Sequence, residues 1–312
     1  MKRLRIYQII CAIFPPIISQ SIRNIIFPLP KARKLGIEFS KTSITGSKFH
    51  GTTSDDHSYR FAIHGFFDWR NIIIANKYVK EYRGDIIEIG ANVGTETISY
   101  CDLVAQTGQV HAFEPLLDNV QALNKLSKYL ENLVIYPKAV SNKTQIVEFQ
   151  VPPPHESGIG KIISKSNSQK VSESLMIQSI TLDSLINNFK RISFVSIDTE
   201  GHEPFVLEGA HKVLSEFRPS VIIEISPKLL RKYSESSSED IHDYFRKLDY
   251  QCYIIDRSSI RTIDKINVGI NKSQNWFCVP SENSHIVDKI SKDLLIRAYV
   301  PWYLLKSLKY SV

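Results

Sequence analysis

The chain predicts an α/β fold, a mostly parallel sheet covered by helices on both faces, and three observations carry that reading. Short apolar runs alternate with stretches of helical apolar spacing between residues 70 and 280. The run Asp85 to Ile89 passes through Gly90-Ala-Asn-Val-Gly94 into Thr95-Glu-Thr-Ile-Ser-Tyr100, which reads as strand, glycine turn and helix start. The run Gln109-Val-His-Ala-Phe-Glu114-Pro115 ends in an acid 20 residues beyond Gly94. In a Rossmann-like unit an acid at the end of the second strand meets both hydroxyls of a ribose.

Each element follows in order. Residues 1–31 place Lys2, Arg3 and Arg5 before an apolar run that Pro15-Pro16 stops, with no small-residue cleavage pattern and too little length to span a bilayer. Two readings remain, a peripheral segment on a membrane surface or a segment packed against the protein's own core. From Gly36 to Tyr59 the polar composition predicts short strands or a surface loop. His64, Phe66, Phe67 and Trp69 line either an acceptor pocket or the core, and residues 71–82 have helical spacing.

After Glu114, residues 119–129 predict a helix and residues 134–140 a third strand. Residues 142–179, with Pro152-Pro-Pro154, Gly158 and Gly160, interrupt the alternation as a lid or a β-hairpin excursion with a mobile loop. Residues 182–189 predict a helix, 192–197 a fourth strand ending in Asp198 and Glu200, and 204–214 a helix with proline in its first turn. Residues 220–225 form a fifth strand, 241–248 a helix, and 252–255 and 276–279 two closing strands. The tail, residues 286–308, reads as an amphipathic basic helix divided at Pro301, with Trp302 and Leu305 among its apolar residues. Membrane, core and a second subunit are its candidate contacts.

Composition bounds the function. The 312 residues allow one large α/β core with extensions, read as an N-terminal extension over 1–69, a main domain over 70–280 and a tail over 281–312. A net charge of +7 is mild for this length, and nucleic acid is not expected as a partner. Cys11, Cys101, Cys252 and Cys278 have no ligand spacing, and Val206 stands where a zincin helix beginning His202-Glu203 would need its second histidine. Neither a disulfide framework nor a metal site is expected, and the setting reads as cytoplasmic.

The turn itself selects a ligand class. Gly90 and Gly94 stand in a G-x-x-x-G arrangement, so the three-glycine fingerprint of a dinucleotide site is absent. Turn amides and Glu88 suit a smaller ligand that carries a carboxylate and an amine.

The run Glu88-x-Gly-Ala-Asn-x-Gly94, with Phe113-Glu-Pro115, Asn119, Leu123 and Asn124, resembles the FkbM-type family of S-adenosylmethionine-dependent methyltransferases. Thr181-Leu-Asp183, Ile197-Asp-Thr-Glu-Gly-His-Glu203 and Val206-Leu207-x-Gly209-Ala210 match that family's second signature. Ser196 stands where a lysine often precedes this signature.

The resemblance implies a Rossmann-like class I methyltransferase with a mostly parallel seven-stranded sheet, and S-adenosyl-L-methionine as cofactor. It implies transfer of a methyl group to a hydroxyl, often on a sugar, a glycan of polysaccharide biosynthesis or a related natural product. Glu88, Gly90, Ala91, Asn92, Gly94, Glu114 and Pro115 are the expected cofactor residues. Asp198, Glu200, His202 and Glu203 are the expected catalytic set, Asp198 as base or acceptor-orienting group. Aminopropyl transfer and a non-catalytic role in glycan assembly are the alternatives.

Overall fold

A computed structural model describes residues 2–153, 155–163, 173–263, 272–301 and 304. Three helices open the chain, α1 (Lys2–Ile13), α2 (Pro16–Ile26) and α3 (Leu29–Leu35), and prolines at 15, 16, 28 and 30 set their breaks. A hairpin of β1 (Glu38–Thr42) and β2 (Lys48–Thr52) leads to α4 (Asp56–His64), which Asp55 caps through the Ser58 amide. Then comes α5 (Trp69–Tyr82), capped by Asp68.

The alternation begins with β3 (Asp85–Ile89), α6 (Thr97–Val104), β4 (Val110–Phe113), α7 (Leu117–Ser127) and β5 (Leu133–Tyr136). A side sheet follows from β6 (Ala139–Val140), β7 (Gln145–Gln150), β8 (Lys161–Ile162) and β9 (Ser174–Ile180), in the order β6-β9-β7-β8. This is the expected excursion; the mobile loop expected within it lies outside the described residues.

The main sheet resumes with β10 (Ile192–Ile197), α8 (Glu203–Gly209), α9 (His211–Phe217), β11 (Ser220–Ile225), α10 (Pro227–Tyr233), α11 (Ser238–Lys247), β12 (Tyr250–Ile255), β13 (Ile260–Thr262), β14 (Gln274–Pro280) and α12 (Ile286–Tyr299).

Its strand order is β13-β12-β14-β11-β10-β3-β4-β5. The five strands from β5 through β11 are parallel, β14 runs antiparallel between β11 and β12, and β13 is antiparallel to β12. Eight strands stand where seven are expected, because the chain folds back after β12 through a turn in which the Asp256 amide donates to the Ser259 carbonyl at 2.9 Å.

Side chains alternate across the sheet as its pleat requires. Ile86 and Phe194 face α5, α6 and α12, whereas Ile87, Ile89, Val195 and Ile197 face α8, α9 and α11. Both faces are therefore covered, and the open ground for a ligand is the carboxyl edge, where β3, β4, β10 and β11 end together.

Three helices differ from expectation. Residues 182–188 form a 3-10 turn, with Asp183 spent on the amides of Lys212 and Val213 at 3.0 Å each. The helix expected over 204–214 breaks between α8 and α9, where a side chain on Gly209 would stand 2.0 Å from the Ser141 carbonyl oxygen. Helix α12 ends at Tyr299 before Pro301, and Trp302 and Leu305 of the expected continuation lie outside the described residues.

Residues 1–31 have an inward, packed face and an outward, exposed one. Leu4, Cys11 and Phe27 enter the core, and Tyr59 donates its hydroxyl to the Phe27 carbonyl at 2.6 Å. Ile6, Ile9, Ile13, Ile18 and Ile25 point outward. No helix among the described residues is long and apolar enough to cross a membrane.

Candidate active site

The glycine turn closes against the ends of two strands. The amides of Gly90 and Ala91 both donate to the Phe113 carbonyl, at 3.0 and 3.1 Å, so β3 and β4 finish side by side. Gly90 has φ +90°, and a Cβ there would stand 2.0 Å from the Asp198 carbonyl oxygen, so only glycine lets β10 end this close. Asn92 holds φ +50°, and its amide donates to Glu114 at 2.9 Å. The second Glu114 oxygen accepts from the Leu116 amide at 2.9 Å. Burial pushes the Glu114 carboxyl up to about 7 against these bonds.

Two clefts open along this edge. One is lined on the sheet side by Gly90, Asn92, Glu114 and Pro115, and on the far side by Phe149, Gly158 and Ile162 of the excursion. Both amide atoms of Asn92 are buried there without a hydrogen-bond partner. The second cleft is larger and polar, with Asp68, Arg70, Asn71, Glu96, Glu200 and Glu224 among its walls. His57 and Asp198 are the two residues common to both linings.

Asp198 stands at the end of β10, its amide donating to the Ile89 carbonyl at 3.0 Å. One oxygen from each of Asp198, Glu200 and Glu224 falls within 4.8 Å of the others, and Asp198 Oδ1 is buried without a partner. Burial, then repulsion from Glu224 and Glu200, holds the Asp198 carboxyl well above the usual range. Glu200 is pushed up to about 7 by burial and by Glu224, and Glu96 up to about 8 by burial and Asp68.

His57 is held by packing. Its ring stacks on Phe67 at 4.0 Å, and a Cβ on Gly158 would come within 2.4 Å of Nε2. Burial pushes the imidazole down to about 4, so it is neutral near pH 7 and carries a free lone pair.

The remaining expected residues sit behind this edge. Glu88 is buried beneath the turn and accepts from the Thr97 hydroxyl at 2.6 Å. Ala91 is buried, and Gly94 packs where a Cβ would stand 2.5 Å from Leu126. Glu203 turns back on its own loop, one oxygen accepting from the Thr199 amide and hydroxyl and the Gly201 amide, and so braces Glu200 at φ +55°. His202 lies on the wall of the smaller cleft with Nε2 2.9 Å from the Ser141 hydroxyl, and burial pushes it down to about 4. Of the aromatic group, Phe66 and Trp69 are core and Phe67 alone lines a cleft.

Glu224, Glu96 and His57 escape the sequence reading for different reasons. Glu224 had a signal, a single acid near the end of an otherwise apolar strand. Glu96 stood in the helix start without a motif. His57 belongs to a polar stretch 31 residues before Glu88, and only packing brings it to the edge.

Residues 88–252 match the family model described as the methyltransferase FkbM domain. No curated protein matches the chain by sequence. Among solved structures, the methyltransferase FkbM of Methylobacillus flagellatus KT is 15% identical with a TM-score of 0.42, over 83% of this chain and 60% of that one. This chain thus spans 60% of the length of that protein. The fibrillarin pre-rRNA processing protein of Methanococcus jannaschii is 12% identical with a TM-score of 0.37, over 64% of this chain and 66% of that one. A Streptococcus mutans structure described as a candidate methyltransferase in complex with SAH is 9% identical with a TM-score of 0.37, over 67% of this chain and 96% of that one.

Proposed function

The chain belongs to the FkbM methyltransferase family, and from that premise we propose that it methylates a hydroxyl of a sugar, a glycan or a related small molecule, with S-adenosyl-L-methionine as methyl donor. The cofactor supplies, when bound, an electrophilic methyl group on a sulfonium. Everything else is asked of the chain's own residues.

The smaller cleft fits this cofactor by the chemistry of its donors and acceptors. Glu114, fixed by two backbone amides, offers a carboxylate to a pair of ribose hydroxyls. Asn92 has a whole amide to satisfy, and Gly90 leaves the turn bare of a side chain. Glu88, Ala91 and Gly94 hold the turn from behind in this reading, and Pro115 forms part of the wall.

The larger cleft takes the acceptor. Its carboxylates suit the hydroxyls of a polyol, each able to accept a hydrogen bond. Asp198 and Glu200 orient the acceptor; Glu203 and His202 keep the turn and its neighbour in place. The observation that carries the proposal is the sharing of His57 and Asp198 by both clefts, because a transfer between two ligands must occur where their sites meet. Asp198, as base or acceptor-orienting group, and His57, unprotonated and stacked, are the two candidates to take the hydroxyl proton.

For location we infer a cytoplasmic chain held peripherally at the inner face of a membrane, supported by the basic character of its first helices. The test of the chemistry is methyl transfer from label-bearing S-adenosylmethionine into fractions of host glycans and small molecules. Label that enters a hydroxyl-bearing fraction only with the enzyme supports the reading. Cofactor binding with no label in any fraction would instead favour the non-catalytic role in glycan assembly.

A further inference from the structure

The chain's charge is divided unevenly. Residues 1–37 contain seven of the 39 basic residues and no acid, so the other 32 basic residues are balanced by all 32 acids. The whole net charge of +7 therefore resides in the first three helices and their joints. Arg23 is buried over the Tyr59 ring and Arg33 pairs with Glu156, but Arg3, Arg5, Lys31 and Lys34 are exposed.

The outward faces of these helices are apolar where a surface helix is ordinarily polar. On α1, Ile6, Ile9 and Ile13 repeat at three and four residues and are 54–56% exposed. On α2, Ile18 and Ile25 are 45% and 78% exposed on one stripe, while Ser19 and Arg23 face inward. Helix α2 packs against both α1 and α12. On α12 the outward stripe runs through Lys289 and Lys292 to Leu295, Ile296 and Tyr299, each of the last three at least half exposed. Three helices joined by packing on α2 thus each carry an exposed apolar stripe of the same kind.

We propose that α1, α2 and α12 form one composite face that lies on an anionic lipid bilayer, with the isoleucines and Leu295 entering the headgroup boundary and the basic side chains reaching lipid phosphates. This deepens the peripheral placement inferred above by naming its surface. Charge decides the occupant. A second copy seated face to face would set the exposed Arg3, Arg5, Lys31 and Lys34 against the same four cations, whereas an anionic bilayer neutralises them. The absence among the described residues of a helix long enough to span agrees with a face that lies flat.

The test is flotation of the full chain with vesicles of mixed phosphatidylglycerol and phosphatidylcholine, beside vesicles of phosphatidylcholine alone. The parent protein should float with the mixed vesicles and be released in part by salt. Arg3→Glu with Arg5→Glu, Ile9→Ser with Ile13→Ser, and Leu295→Ser with Ile296→Ser should each lower partitioning by about tenfold or more, in chains of unchanged circular dichroism. A parent that stays in solution overturns the peripheral placement itself. A parent that floats while the α12 pair binds equally well overturns the composite face alone. Sedimentation as a dimer that the isoleucine substitutions dissolve, without vesicle binding, assigns the face to a second copy and also overturns the proposal.

Discussion

Gly90 and Asp198 meet backbone to backbone: a Cβ on Gly90 would lie 2.0 Å from the Asp198 carbonyl oxygen and 3.1 Å from its carbonyl carbon. The glycine turn and the β10 terminus are therefore in direct backbone contact. Gly90→Ala should combine a strained positive φ with overpacking against an immovable strand end, a loss of about 2 to 4 kcal/mol. It should also reduce methyl transfer below the level set by cofactor affinity alone. Denaturant midpoints and transfer rates on the same preparation check both parts.

Glu114→Ala should weaken S-adenosylmethionine binding at least tenfold, since charge-assisted bonds to its carboxylate are worth roughly 1.5 to 3 kcal/mol each. Its two backbone donors, the amides of Asn92 and Leu116, would then face the cleft unpaired. Calorimetry on the folded variant gives the answer, and unchanged affinity would remove Glu114 from the cofactor site.

The carboxyls of this edge predict an unusual dependence of stability on pH. Glu114 and Glu200 are pushed up to about 7 and Glu96 to about 8, from an ordinary 4.5, chiefly by burial. Between about pH 5 and 8 these carboxyls retain protons in the folded chain that they release in the unfolded one. His57 and His202, pushed down from 6.5 to about 4, work in the opposite direction below about pH 6.5, so the fall in stability is clearest from there to pH 8. Glu96 and Glu114 account for on the order of 1 to 3 kcal/mol each, and Glu200, open to the cleft, for less. The unliganded protein should have a higher denaturant midpoint near pH 6.5 than near pH 8. A midpoint that instead rises over this range would show that the carboxyls are ionised and paired.

Asp102 pins the loop after β1 to α6. It accepts from the Thr45 hydroxyl at 2.6 Å, the Ser47 amide at 2.9 Å, and the Ser47 and Ser43 hydroxyls at 2.5 and 3.2 Å. Asp102→Ala leaves those donors without their acceptor, and the expected cost is about 2 to 4 kcal/mol. Urea denaturation with an unchanged slope would register it.

The sheet was legible because its signals are local. Val110 to Phe113 or Ile192 to Ile197 is a fully buried parallel strand, and such strands read as nearly continuous apolar runs, interrupted here by His111, Ser193 and Ser196. The acids at 114, 198 and 200 were legible because a strand end fixes where its last residues point. What escaped depends on contacts across long sequence distances. His57 reaches the edge only because α4 packs on α1 and on the turn at 157–159. The close approach that requires Gly209 next to the break between α8 and α9 was invisible because its partner, the Ser141 carbonyl, lies 68 residues earlier. Glu88 read as a ligand group from its motif position, yet the pleat turns it toward α6 and Thr97.

The base for methyl transfer separates His57 from Asp198. An acceptor hydroxyl must lose its proton as the sulfonium charge disappears, and a base contributes typically 10²- to 10⁴-fold. Asp198 is buried and shares its surroundings with Glu224 and Glu200, which raises its carboxyl above the usual range and makes its ionised form a stronger base than an ordinary carboxylate. His57, pushed down to about 4 by burial, is unprotonated above that value but a correspondingly weak base, so its case rests on its position between the two clefts. His57→Gln keeps a polar side chain of similar reach without a basic nitrogen, and should lower turnover by about 10²- to 10⁴-fold with cofactor affinity within a few fold. Asp198→Asn keeps the hydrogen-bonding shape, and should mainly raise the acceptor KM if orientation is its task. Turnover and KM for each variant, measured with the fraction that takes the label, decide the roles. If His57→Gln runs at the parent rate and Asp198→Asn loses turnover at unchanged KM, the base is Asp198 and His57 serves as a wall between the two clefts.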